Sequence, residues 1–262
     1  MMSNIVGREN ELFTFAYCPR FKKQLSKLAS LAQKEVWDFK IESEQEPKFE
    51  ILDNYIKHTF KRIKYEYDLL PEEKKHTKLC IEKDYACFNT GLYTENYEQI
   101  FAFFQKNQIT DKQEWCLIGF FKESSDELVK FSKLPQRASY FQDISDLIFD
   151  YRCEVRIDLN HILDENRDRL PESLRDLSTL TGAVEIAKKR VAANYKLAIP
   201  QYYDGRIQLL IPLCSSNNEC VALVIRKESE FYVGKTVLKV EWAYNNARLI
   251  ARPESEWLKP MC

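Results

Sequence analysis

The sequence predicts an α+β fold, built as one domain over residues 1–262 on a mainly antiparallel sheet flanked by helices. Three observations predict it. Gln201 to Pro253 reads as three strands in succession followed by a polar-faced helix. Strand and helix patterns mix in both halves of the chain, and short polar connections join the strands, which favours antiparallel pairing. No Gly/Ser linker, low-complexity segment or internal repeat divides the 262 residues.

From the N-terminus, residues 1–20 form a lead-in. Its aromatics Phe13, Phe15, Tyr17 and Phe21 alternate as in a short strand or a docked extended segment. Gln24–Glu35 has helical apolar spacing, Trp37–Lys40 suits a strand, and Glu42–Pro47 a polar loop. Phe49–Tyr67 is the clearest helix of the first half, with Ile51, Leu52, Tyr55, Ile56, Phe60 and Ile63 as its apolar stripe. Lys57, Lys61 and Lys64 share one basic face, either a solvated surface beside the lone His58 or a phosphate-tracking one. Leu79–Ile81, Ala86–Phe88, Ile100–Phe104 and Trp115–Phe121 read as strands. Asn89-Thr90-Gly91 has turn chemistry, suited to a hairpin or to presenting backbone N–H groups to an anion.

Ser124–Phe131 and Ile144–Phe149 read as helices, Cys153–Asp158 as a strand, and Leu159–Arg169 as a further helix containing His161. Thr181–Ile199 is the longest predicted helix, capped by Thr181 and flanked by Lys188, Lys189, Arg190 and Lys196. Pro200 ends it. Then Arg206–Leu213 alternates with period two, CSSNNE (214–219) turns, Val221–Ile225 is a buried β-branched run, and Phe231–Leu238 is the third strand with Gly234 at a turn or bulge. Pro212 belongs at a strand end or edge. Glu241–Ile250 is the closing helix, and residues 251–262 a tail.

Composition bounds the function. Hydrophobic residues are 45% of the chain, aromatics 13% and charged residues 30%, with a formal net charge of −1. That balance argues against strong sequence-blind nucleic-acid binding, which depends on neutralising many phosphates. No apolar run approaches the roughly 20 residues of a membrane span. The eight cysteines are scattered without a CxxC, so they read as free thiols of a reducing, cytoplasmic compartment. With three histidines, of which only His76 stands near a cysteine, four before Cys80, and no phosphate-loop, dinucleotide or GxSxG motif, no metal or cofactor is called for.

Arg206, Gln208, Asn245, Asn246 and Arg248 are the densest group of polar residues within buried-looking segments. Arg206 and Gln208 face the same side of their strand. A helix closing over that side would bring its Asn and Arg to them. Such a group is either a structural polar network or a ligand site with donors for phosphate and amides for base edges. Together with Asn89, Thr90, Gly91 and Lys189 it supports RNA or nucleotide binding. Two rivals stand beside it. Glu154 and Asp158 on one strand face could hold magnesium in a nuclease or phosphodiesterase, or could belong to a salt-bridge ladder with Arg156. The third reading is an interaction module without enzymatic activity, whose protein partner the sequence does not identify.

FNTGL (88–92), GRIQLLIPL (205–213), AYNNARLI (243–250) and ARPESEWL (251–258) resemble the bacterial and phage family filed as domain of unknown function 3825. So do ILDNYIKHTFKRI (51–63), LIGFFKES (117–124) and AKKRVAANYKLAIPQYY (187–203). The resemblance covers roughly residues 10–260. It implies no activity. Similar domains occur beside small nucleic-acid-binding modules such as cold-shock-like domains, which implies RNA or single-stranded DNA as a context.

Overall fold

The computed structural model describes residues 10–39 and 47–259. All but the last residue of the predicted loop Glu42–Pro47, the start of the lead-in and the end of the tail lie outside them. The fold is α+β, with two mixed sheets of five strands each. Where the sequence shows no break, the chain divides into two compact units, Met1–Ser139 and Tyr140–Cys262, each with its own sheet.

The first unit opens with α1 (Glu11–Phe15), capped by the Asn10 carboxamide, and β1 (Ala16–Tyr17). The aromatics read as an extended lead-in are thus mostly helical. Phe15 packs against Phe60, Phe104 and Trp115. Then follow α2 (Phe21–Leu31), α3 (Glu50–Leu69), α4 (Glu72–Lys75), β2 (Leu79–Glu82), β3 (Tyr85–Tyr93), β4 (Gln99–Lys106) and β5 (Trp115–Lys122). Trp37–Phe39 is not a strand. The sheet order is β1-β5-β4-β3-β2, with β1 parallel to β5 and every other pair antiparallel. On one face Phe60 of α3 meets Phe88 and Phe104. The other face carries Cys80, Cys87, Phe101 and Phe103, covered by Leu128 and Phe131. The helix predicted over 124–131 contracts to the 3₁₀ turn Leu128–Lys130. A 3₁₀ turn places positions three apart on one side, which lets Leu128 and Phe131 enter the same cluster.

The second unit contains β6 (Glu154–Ile157), α5 (Leu159–Glu165), α6 (Leu177–Ala193), β7 (Ile199–Tyr203), β8 (Arg206–Cys214), β9 (Cys220–Lys227), β10 (Phe231–Leu238) and α7 (Val240–Arg248). Its order is β6-β10-β9-β8-β7, with β6 parallel to β10. This is the connectivity of the first unit over again: an edge strand, a helical crossover, and a four-strand meander whose last member pairs in parallel with the first strand. No sequence repeat announces it. The predicted three-strand meander followed by a helix is present as β8–β9–β10 and α7, and β7 adds a fourth strand ahead of it.

Alternation divides the second sheet between two helical layers. Leu209, Ile211, Leu213, Val221, Leu223 and Ile225 pack with Leu180, Val184, Ala187 and Val191 of α6. The alternate residues, Gln208, Leu210, Ala222 and Val224, face the side on which α7 lies. Gly234 stands where β10 bulges. A Cβ there would come within 2.6 Å of the Ile157 side chain on β6 and 3.1 Å of the Val224 carbonyl, so only glycine permits the parallel closure.

Cys214 and Cys220 lie directly opposite each other and form a disulfide, which corrects the expectation of free thiols throughout. Their Cα atoms are 4.1 Å apart, the spacing of a non-hydrogen-bonded antiparallel pair. Pro212, two residues away, occupies the same kind of position. Its missing N–H would face the side of β8 where β7 has already ended at Ile199, opposite Leu210. That is how a proline sits inside this strand.

α6 begins four residues before the predicted cap Thr181. Asp176 is the actual cap, accepting from the backbone N–H groups of Ser178 and Thr179 and from both their hydroxyls. The Ser178 hydroxyl, followed by the Thr179 amide, holds its carboxyl down at about 2. A carboxyl lowered by folding stabilises above its unfolded value near pH 4 and loses that contribution as the pH falls towards about 2. Asp176→Ala is therefore expected to lower the thermal midpoint at pH 7. The difference from the parent should shrink between pH 4 and pH 2 in a pH series of thermal melts.

Candidate functional site

The predicted residues fall into separate environments. Asn89, Thr90 and Gly91 belong to the first unit and form a bulge inside β3 rather than a hairpin turn. Asn89 pairs with Phe101 and Tyr93 with Gln99, so two extra residues are accommodated on β3. Asn89 is buried. Its amide donates to Gln99 Oε1 at 2.8 Å and to the Pro135 carbonyl at 3.3 Å, and its Oδ1 accepts from the Gly91 N–H at 2.9 Å. The Thr90 hydroxyl donates to the Ile100 carbonyl at 2.6 Å. Tyr55 of α3 donates to the Thr90 carbonyl at 2.9 Å. Gly91 has φ +77°, and a Cβ there would meet Tyr55 Oη at 2.8 Å. These side-chain groups bind α3 and the segment after β5 to the sheet. An anion would have to displace those bonds.

Lys189 is exposed on α6, and α6 packs on the face of the second sheet opposite to α7. The crossover helix thus carries the basic flank away from the α7 face. Lys188 pairs with Glu185 at 2.8 Å, and Arg190 contacts the Cys214 sulfur. On α3, Lys57 pairs with Asp53 and Lys64 with Asp68, each in an i, i+4 relation. The phosphate-tracking reading of that face therefore has two of its three lysines already paired.

The remaining residues converge on the α7 face of the second sheet through a residue the sequence reading did not select. Gln201 on β7 is 1% exposed and stands directly opposite Gln208 on β8. Its Nε2 donates to Gln208 Oε1 at 2.8 Å, and its Oε1 accepts from Asn246 Nδ2 at 3.1 Å. Each bond fixes the orientation of an amide. With its oxygen engaged, Gln208 keeps its NH₂ as a donor; with its NH₂ engaged, Asn246 keeps its oxygen as an acceptor. Asn245, one residue earlier on α7, has a buried Oδ1 without a hydrogen-bond partner among the described residues. Buried acceptors are normally satisfied, so this one is exceptional.

Arg206 and Tyr203 extend the same face. They are register partners, each two residues from the glutamine pair on its own strand. Arg206 is exposed, and Tyr203 is 54% exposed. A guanidinium, an aromatic ring and an amide ladder therefore follow one another across two neighbouring strands. Arg248, the last predicted member, is buried on α7 with Ala243, Tyr244 and Ala247. Gln201 and Tyr203 were missed because the helical spacing of α6 runs on to Ala198 in the sequence, which hides the start of β7 at Ile199.

Neither acid of the nuclease reading is available to a metal without rearrangement. Glu154 pairs with Arg156 at 2.7 Å, and Asp158 caps α5, its Oδ1 accepting from the His161 N–H at 3.1 Å. Among the described residues no group of three His, Cys, Asp or Glu is arranged to hold a metal ion. No helix among them is long and apolar enough to cross a membrane.

A model of the family described as "Domain of unknown function (DUF3825)" matches residues 28–257. No curated protein and no solved structure matches the chain.

Two substitutions check this geometry. Gly91→Ala is expected to cost about 1–3 kcal/mol in denaturant unfolding, because it combines a positive φ with a clash on Tyr55. Gln201→Leu should cost a similar amount, about 1–3 kcal/mol, by leaving the oxygen of Gln208 and the NH₂ of Asn246 unmatched. Unfolding midpoints equal to the parent's would contradict both assignments.

Proposed function

The chain belongs to the family of domain of unknown function 3825, and on that premise we propose that its second unit binds RNA or a nucleotide on the α7 face of the sheet. The observation that carries the reading is the oriented amide ladder Gln208–Gln201–Asn246 with Tyr203 and Arg206 beside it. A free amide donor and a free amide acceptor match the complementary pattern of a base edge. An exposed tyrosine offers a π-face to an unstacked base, which a single strand presents and a duplex does not. Arg206 supplies a cation for one phosphate.

The same inventory sets the character of the binding. The formal net charge is −1, and Arg226, one register step past Ile225 on this face, is paired with Glu228, so affinity rests on stacking and amide contacts rather than on many phosphates. Its salt dependence is correspondingly shallow.

Fluorescence anisotropy with a short labelled single-stranded RNA, and calorimetry with nucleoside monophosphates, tests the proposal. Tyr203→Ala is expected to weaken RNA binding about tenfold, a mid-range loss for one stacked base. Arg206→Ala should lower the slope of log K against log salt by about 1, the loss of one phosphate contact. Gln208→Ala combined with Asn246→Ala should flatten base preference. If all these variants keep their circular dichroism and bind like the parent, or the parent binds neither probe, the assignment is overturned.

A further inference from the structure

Three pairs among the eight cysteines are brought close by the fold, and one differs from the other two. Cys80 and Cys87 are register partners across β2 and β3, yet both are buried thiols beside Phe101, Phe103 and Phe131. Burial pushes the Cys87 thiol strongly up. Cys18 is likewise pushed up to about 12, by burial first and then by the neighbouring Cys116. Cys87 and Cys18, so far from ionisation, are poor nucleophiles, and Cys80, lowered by its hydrogen bond with Cys87, is 1% exposed and out of reach of an external thiol. The third pair, Cys214 and Cys220, is oxidised and half-exposed at the tip of the β8–β9 hairpin, next to the exposed turn Ser216–Glu219. A guanidinium attends it: Arg190 Nη1 of α6 donates to Cys214 Sγ at 3.7 Å. No comparable cation touches the other two pairs among the described residues.

We propose that Cys214 and Cys220 form a thiol–disulfide exchange site served by a dithiol reductant, with Arg190 making Cys214 the leaving thiolate. The external thiolate attacks Cys220 Sγ, because a hydrogen bond from a cation stabilises negative charge on Cys214 and a better leaving thiol departs faster. One S–S bond breaks as a mixed disulfide forms on Cys220, and Cys214 leaves as a thiolate beside Arg190. The second thiol of the reductant then attacks its own sulfur in the mixed disulfide, expelling Cys220 as a thiolate. Two electrons pass from the dithiol, now a disulfide, to the pair, and two protons complete the two thiols. The ladder on both sides of the pair holds the sulfurs opposite one another, so the reverse reaction needs no search of conformations. The site is independent of the ligand-binding reading.

The experiment uses the full chain purified in air without reductant and equilibrated with oxidised glutathione. Samples are exposed to limiting dithiothreitol for timed intervals, alkylated with iodoacetamide and mapped by peptide mass spectrometry. Cys214 and Cys220 are expected to be unlabelled before dithiothreitol and to gain label together after it. Arg190→Gln, with its circular dichroism unchanged, should slow that gain at least about threefold, because the leaving thiol loses its cation. Labelling of Cys214 and Cys220 before any dithiothreitol would overturn the proposal. So would an Arg190→Gln variant reduced at the parent's rate, since the disulfide would then be a structural clasp without an activated sulfur.

Discussion

Each sheet is closed by a parallel contact between its first and last strands, β1 with β5 and β6 with β10. That contact governs the rest of each unit. A strand cannot pair in parallel with one so far along the chain unless the intervening segment crosses over, and the crossover carries helices onto a face of the sheet. α2 and α3 in the first unit and α5 and α6 in the second are those helices, and their apolar stripes cover one face of each sheet. The other face is left to whatever follows the meander. In the first unit that is the short aromatic segment Leu128–Phe131; in the second it is α7, which carries polar residues.

The placement of the candidate site follows from this division. The face covered by α6 is made of Leu, Ile and Val, and supplies the apolar burial that holds the second sheet together. The α7 face can therefore carry Gln201, Gln208 and Asn246, because it is not the main source of stability. Buried amides are tolerated when their bonds are completed, and Gln201 completes two of them. The bulge at Asn89–Leu92 shows the other outcome. Its polar groups are engaged within the first unit, which joins β3 to α3 through Tyr55 and to Pro135 through Asn89.

Local patterns in the sequence revealed much of this. The alternation of Ile207, Leu209, Ile211 and Leu213, the β-branched run at Val221–Ile225 and the stripe of α3 all specify elements that formed within a few residues of their predicted ends. What was hidden depends on distant pairing. β1 and β6 are short, and nothing near Ala16 or Val155 reveals a partner roughly a hundred or fewer residues away. β7 was masked by the helical spacing of Val191, Tyr195 and Ala198, although Asn194 stops α6 and caps a 3₁₀ turn. Without β7 there was no Gln201, and the polar group could be sensed only from Arg206, Gln208, Asn245 and Asn246. The Cys214–Cys220 pair was overlooked for a similar reason. Six residues apart in the chain, the two become neighbours only when the hairpin register puts them opposite each other.

The proposed ligand, single-stranded RNA or a nucleotide, would lie across β7 and β8. Photo-crosslinking with a 4-thiouridine-substituted oligonucleotide, followed by mass spectrometry of the linked peptides, tests it most directly. Crosslinks are expected to concentrate on the peptide spanning residues 201–208, with Tyr203 the main site. Crosslinks confined to other surfaces, or none above a protein without RNA affinity, would contradict it.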